Sequence, residues 1–363
     1  MNYREVEILA PKDLGPAGVE TIDINLVDPL SSIELIWQTT VVTAALMTAP
    51  HVACLTKIEL VDGSDVLFSL SGEEAQALAF YGTLRMPLNQ IGLVAADSMK
   101  SVIPIYFGRK LFDRELAFDP KRFRNPQLKV TWDEDVANAS VVVNQLTVRG
   151  CAFDKRPISP SGFLMAKEIK SFTPAANAND YTDLPTDFPY RLILLRCKST
   201  TIEPNAQLGL LKISEDNDKR IPLEMTGDEI LQKIVLPMGE IEEDYKGTGA
   251  VTASDIYGAP TAVVRVMKDI SKISGAITDT CGAVTITNNK YAVATAVGFY
   301  YHSFLARGFA PHSCLVIPCG DLAEISDWYD PKGIGSLRLI FTGAAAVGTS
   351  PSAQICVQQL RRY

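Results

Sequence analysis

The chain has 363 residues, 47% hydrophobic and 21% charged, a globular composition in a length that exceeds one ordinary core and suits two domains. Its net charge of −8 argues against a dedicated nucleic-acid binder, which needs surplus Lys and Arg to displace phosphate counterions. The seven cysteines show no Cys-x-x-Cys spacing and MNYREVEILAPKD lacks the basic start and apolar run of a cleaved signal, so we expect reduced thiols, synthesis in a cytoplasm and no membrane span.

Strand signals come early. In TIDINLV, Ile22, Ile24 and Leu26 alternate with polar residues, the period-two pattern of a half-buried strand. LTKIELVDGSDVLFSLSGEEAQ (55–76) then reads as strand, turn, strand and capped helix. Its Ser71 can accept the third amide of the helix while Glu74 reaches back, a capping box. A basic cluster follows at 109–124, with Arg109, Lys110, Arg114, Lys121, Arg122 and Arg124 diluted by Asp113, Glu115 and Asp119. It reads as a solvated or inter-subunit face. LKVTW and SVVVNQLTVRG add strands, and DKRPISPSG carries the Pro and Gly of a linker.

The second half opens with the apolar run YRLILLRCKST. LLKISEDNDKRIPLEMTGDEILQ repeats strand, turn, strand, helix, with Thr226 and Glu229 as the capping pair and Ile230, Leu231, Ile234 and Val235 at helical spacing. From Leu55 to Gln76 the two units keep an offset of 155 residues without a gap, whereas FDPKRFRNPQLKVTW and YDPKGIGSLRLIF match at an offset of 211. The second copy therefore carries 56 extra residues within 236–311, read as a β-rich excursion with a turn at Asn288-Asn289. VNQLTVR from Val143 and VQQLRR from Val357 pair the closing strands. Matches in one order along both halves indicate duplication. The domains are a first copy at 1–155, a linker at 156–163 and a second copy at 164–363.

A search for chemistry finds little. His51, His302 and His312 stand apart, with no His-x-His or His-Glu-x-x-His, so no metal or cofactor site is expected. No Gly-x-Ser-x-Gly elbow or phosphate loop occurs. Cys314 and Cys319 read as packing residues. Asp133-Glu134-Asp135 and the acidic run from Glu240 to Asp244 are the densest carboxylates and read mostly as solvated faces. Asn138-Ala139-Ser140 is a glycosylation sequon by letter only. A carbohydrate-active or carbohydrate-binding protein on paired jelly rolls is the alternative function. Its sugar platform would be Trp328, Tyr329 and Asp330.

The repeated SGEE and TGDE helices, the two Asp-Pro-Lys segments and the paired closing strands give a layout that resembles the double jelly-roll major capsid proteins of tailless icosahedral viruses, the lineage of adenovirus hexon and membrane-containing bacteriophages. The resemblance implies an all-β fold of two tandem eight-stranded jelly-roll sandwiches, each with a short capped helix, and a structural role with no catalysis. It implies a homotrimer forming a pseudo-hexagonal capsomer in a virion, in contact with neighbouring capsomers and minor capsid or vertex proteins, above an internal membrane in some members. No sequence-specific nucleic-acid contact is implied. The one site assignment is structural: Ser71, Glu74, Thr226 and Glu229 as helix caps.

Overall fold

A computed structural model describes residues 2–41, 47–90, 98–137, 141–155, 158–249, 254–272, 284–287, 290–293 and 300–363. The sequon at 138–140, the Asn288-Asn289 turn and Cys281 lie outside these residues.

The first half contributes β1 (Tyr3–Leu14), β2 (Ala17–Asp23), β3 (Leu30–Val41), β4 (Leu55–Asp62), β5 (Asp65–Leu70), helix α1 (Gly72–Thr83), β6 (Asn89–Gln90), β7 (Ser98–Tyr106), β8 (Pro126–Asp133) and β9 (Val141–Phe153). One sheet runs β1-β9-β3-β7-β6, and β2-β8-β4-β5 forms the other. Alternation decides which side of each strand faces in. Along β8, Pro126, Leu128, Val130 and Trp132 are buried while the residues between them are not.

The second half repeats this order with β10 (Gly162–Phe172), β11 (Asn179–Asp183), β12 (Tyr190–Lys198), the helical turn α2 (Pro204–Gln207), β13 (Leu208–Glu215), β14 (Arg220–Met225) and helix α3 (Gly227–Ile230). That helix continues as a π turn at Leu231–Val235 into α4 (Leu236–Met238). Pro237 has no N–H to give the helical ladder, and the turn ahead of it takes the wider spacing. An excursion follows in β15 (Ile241–Gly249), β16 (Ser254–Tyr257), β17 (Ala262–Lys272), β18 (Val284–Thr287), β19 (Lys290–Val293) and β20 (Tyr300–Phe309), before β21 (Cys314–Pro318), β22 (Leu337–Gly343) and β23 (Ser352–Arg362) complete the sandwich.

In the second sandwich β10-β23-β12-β21 faces β11-β22-β13-β14, the arrangement of the first sandwich with each strand replaced by its counterpart. The excursion forms two three-stranded sheets, β15-β20-β17 and β16-β19-β18. Both halves are thus jelly rolls and the fold is all-β. Among the described residues no helix is long and apolar enough to cross a membrane.

Irregularities repeat as faithfully as strands. Leu30 pairs with Ala152 and Tyr190 with Gln359, each just before a register shift. Isolated bridges join Leu30 to Phe118 and Tyr190 to Tyr329. This register corrects one expectation from the sequence: the counterpart of Val357, which pairs with Ile193, is Gly150, which pairs with Ile33, and not Val143. Val and Gln recur so often in strands that a short run of matching letters carries no register.

Candidate functional site at the junction of the two sandwiches

The two capping boxes form in the same way. Ser71 N–H donates to the Glu74 carboxylate at 2.9 Å and Glu74 N–H donates to the Ser71 hydroxyl at 3.3 Å. Thr226 and Glu229 make the same pair at 3.0 and 3.2 Å. The Thr226 N–H, the Lys233 ammonium and the Thr226 hydroxyl hold the Glu229 carboxyl down at about 2. These residues start their helices; they bring no reactive groups together.

What the helices meet differs. Residues Gly72 to Tyr81 of α1 are all buried, because the helix packs on β4 and β7 of its own sandwich and is covered from the other side by β21 and the turn Pro311–Ser313 of the second. Its Glu73 pairs with Arg196 of β12, both nearly inaccessible, with the Lys198 ammonium 3.3 Å away. Burial pushes the Glu73 carboxyl up, but Arg196, Lys198 and His312 outweigh it and hold it at about 2. Gln76 joins three segments: its side chain lies 2.9 Å from His312 Nε2 and donates to Asn89 at 2.9 Å and to the Val102 carbonyl at 2.8 Å. Asn89 in turn donates to Glu243 of β15 at 3.0 Å, tying the base of the excursion to the first sandwich. Burial raises the Glu243 carboxyl, although Asn89, Tyr245 and the Ala259 N–H all donate to it.

Below α1, β10 runs alongside β5, with Ala166 opposite Phe68 and Lys167 opposite Ser69 in parallel. Its leading residue Phe163 enters the first sandwich and meets Phe107, Phe118 and Phe123 edge-on, at centroid distances of 6.3, 5.5 and 5.9 Å. Leu116, Leu164, Trp328 and Leu360 form a second apolar cluster across the junction. Arg361 closes one end on Asp65 at 2.5 Å, and the Tyr363 hydroxyl donates to the Ala117 carbonyl at 2.8 Å. The largest apolar cluster is continuous through both sandwiches.

The remaining candidates take structural places. Arg109, in the basic run, grips Asp113 at 2.7 Å and Glu115 at 2.8 Å and donates to the Ala323 carbonyl across the junction. The Trp328 ring is buried in the cluster just named, and its indole donates to the Asp321 carbonyl at 2.9 Å. It offers no face to a sugar. The Tyr329 hydroxyl donates to Glu215 at 2.6 Å, and Asp330 accepts the Lys332 N–H. Asp133 accepts the Asp135 N–H, Glu134 accepts from the Asn144 amide, Glu240 pairs with Arg265 and Glu242 with Arg307. His51 is buried between Thr39 at 3.0 Å and Ser101 at 2.9 Å. His302 lies in β20, far along the chain from any motif. The six described cysteines are free, and burial pushes Cys54, Cys151 and Cys319 up to about 12, far from thiolate chemistry. Among the described residues no group of His, Cys, Asp or Glu is placed to hold a metal.

Neither a protein-family model nor a curated protein matches the sequence. Solved structures do match, over nearly the whole chain. The MCP of STIV, the Sulfolobus turreted icosahedral virus, superposes with a TM-score of 0.60 at 10% identity, covering 99% of this chain and 98% of that one. The major capsid protein of bacteriophage PM2 gives 0.53 at 9% identity, with 99% and 98% covered. VP54 of PBCV-1 gives 0.57 at 11% identity, with 99% and 93% covered. The chain has the double jelly-roll fold. Within that fold, the buried polar groups at the junction hold one jelly roll against the other.

Sequence reasoning missed this junction, yet one signal was visible. Arg191 and Arg196 sit inside YRLILLRCK, a strand that buries all but its last residue. A charge in such a run needs a buried partner, and Glu73 is the acid that meets Arg196.

Proposed function

We propose that this chain is the major capsid subunit of an icosahedral virion, a structural protein without catalytic activity, and that three copies form a pseudo-hexagonal capsomer. The observation that carries the reading is the whole-length match to three viral capsid proteins. Duplication supports it physically. Three copies of a two-sandwich chain present six similar blocks, which lets a three-fold object fill a six-fold lattice position. On this reading the chain divides into a first jelly roll at 1–155, a linker at 156–163 and a second jelly roll at 164–363. The excursion within 236–311 stands on the outer surface, and the rim meets neighbouring capsomers and minor or vertex proteins. Synthesis takes place in the host cytoplasm.

Light scattering on purified protein tests the oligomer: the expected mass is three times the 39.5 kDa chain. Electron microscopy of the source particles tests the rest, with trimeric tiles expected. A chain that stays monomeric at high concentration, or particles whose tiles are built from another protein, would sink the proposal.

A further inference from the structure

The internal junction has a matching pair of bare surfaces elsewhere on the molecule. Phe68 and Ser69 of β5 correspond to Leu223 and Glu224 of β14, each two to three residues before its capping residue. Strand β5 is covered by β10, whereas β14 is an edge strand with Ile221 41% exposed and Pro222 also exposed. The counterpart of β10 is β1, the edge of the other sheet. Leu164 to Glu168 pair with Leu360 to Cys356, and Tyr3 to Glu7 pair with Phe153 to Arg149; a one-residue shift follows both runs. Glu5 and Val6 therefore stand in the places of Ala166 and Lys167.

The first sandwich receives Phe163 between Phe107 and Phe118. Their counterparts, Cys319 and Tyr329, line an apolar cavity of about 240 Å³ that opens beside Leu223. The end of the second sandwich is thus unsealed where the first is sealed. The charges at the joint are also matched. Asp65 binds Arg361 across the internal junction. The counterpart of Asp65 on β14 is Arg220, which pairs with Glu215 at 2.8 Å yet keeps its side chain 65% exposed, and the counterpart of Arg361 beyond β9 is Asp154, also exposed. The pair is present with its signs exchanged.

We infer that β14 of one copy docks along β1 of a second copy in the register of the internal junction, Leu223 opposite Glu5 and Glu224 opposite Val6, with Arg220 paired to Asp154. This rests on the capsomer reading and adds its partner residues and a rule of assembly. A first sandwich docked on another first sandwich would set Asp65 against Asp154, and a second on a second would set Arg220 against Arg361. Within the chain β5 and β10 already occupy each other, so β14 and β1 are the matching edges left, and the opposite charges of Arg220 and Asp154 favour this head-to-tail contact over the like-charged pairings. The copy-to-copy joint is looser than the internal one. Asn2 stands where Phe163 does, and Ile36 stands where Arg196 does, so neither the aromatic plug nor the buried ion pair is repeated.

The test is charge exchange, read as the trimer dissociation constant on dilution, with circular dichroism and thermal melts as controls for folding. R220E and D154R should each weaken the trimer about tenfold or more, and the R220E/D154R double variant should recover most of the loss. Because R220E also places a carboxylate beside Glu215, the E5C/L223C variant gives an independent reading. Oxidation is expected to link chains into dimers and trimers on a denaturing gel. A wild-type chain that never trimerises overturns both this inference and the capsomer reading. A wild-type trimer that is indifferent to both single substitutions, or a double variant no better than the singles, or an oxidised E5C/L223C sample that runs only as monomer, overturns the inference alone.

Discussion

The two capped helices start from the same chemistry and end in opposite environments. Ser71 and Thr226 close equivalent boxes, yet α1 buries ten residues in succession while its counterpart leaves Asp228, Gln232, Lys233 and Pro237 exposed. The adjoining strands differ in the same sense, with Leu67 and Phe68 buried on β5 and Ile221 and Pro222 exposed on β14. A local motif fixes where a helix begins, and the surface it meets fixes what its faces carry. Around α1, Glu73 and Gln76 are polar residues kept in a buried position because Arg196 and His312 are there to satisfy them.

The contrast can be broken most sharply at the plug. Phe163→Ala is expected to cost about 3–5 kcal/mol in a chemical melt of the monomer, while Asn2→Ala, at the equivalent place on the bare edge, should leave the same melt unchanged. Similar costs at both positions would show that the two edges are not different in kind. Arg196→Met strands the Glu73 carboxylate in a buried site and should cost about 3 kcal/mol, near the low end for a broken buried pair because Lys198 stays close. Asp228→Asn, on the exposed helix, should be almost silent in the same melt.

Acid supplies a third, slightly smaller effect. Burial holds His51 down at about 3 and His312 down at about 4, from an ordinary 6.5. Both are neutral in the fold, and the unfolded chain takes up protons first, so stability is full above about pH 6.5 and falls as pH drops toward 4. Glu73, held at about 2 against an ordinary 4.5, extends the loss in the same direction below pH 4.5. Urea melts at pH 7 and pH 5 should differ by about 2–4 kcal/mol, and H312Q should reduce the difference. A flat profile would mean that these imidazoles take up protons as readily in the fold as in the unfolded chain. The caps come last: Ser71→Ala and Thr226→Ala should each cost about 1 kcal/mol, unequal only if burial of α1 makes its lost bond harder for water to replace.

Local features were legible from the chain. The capping boxes span four residues each, strand alternation shows in runs such as LKVTW, and the change in offset placed the six excursion strands between the second helix and the closing strands. Non-local features were not legible. YREVEIL and GFLMAKEI share only Glu-Ile, at Glu7-Ile8 and Glu168-Ile169, too short a match to find by eye, and the register shift after Glu7 and Glu168 shows them to be counterparts. The run VNQL misled in the opposite way, matching in letters but not in place. Trp328 packs at its turn, but its partners Leu116 and Leu164 lie far away in sequence and no local pattern names them.

Only two residue pairs stitch β5 to β10. A long strand ladder resists sliding because many backbone bonds are loaded together; two pairs share very little load. A pull along the strands is therefore borne by side chains: Phe163 in its socket of rings, Glu73 on Arg196, Asp65 on Arg361, and the cluster of Leu116, Leu164, Trp328 and Leu360. Such a seam is held by its side chains and not by its backbone, so truncating Phe163 should loosen the joint while the strand ladders of both sandwiches stay intact.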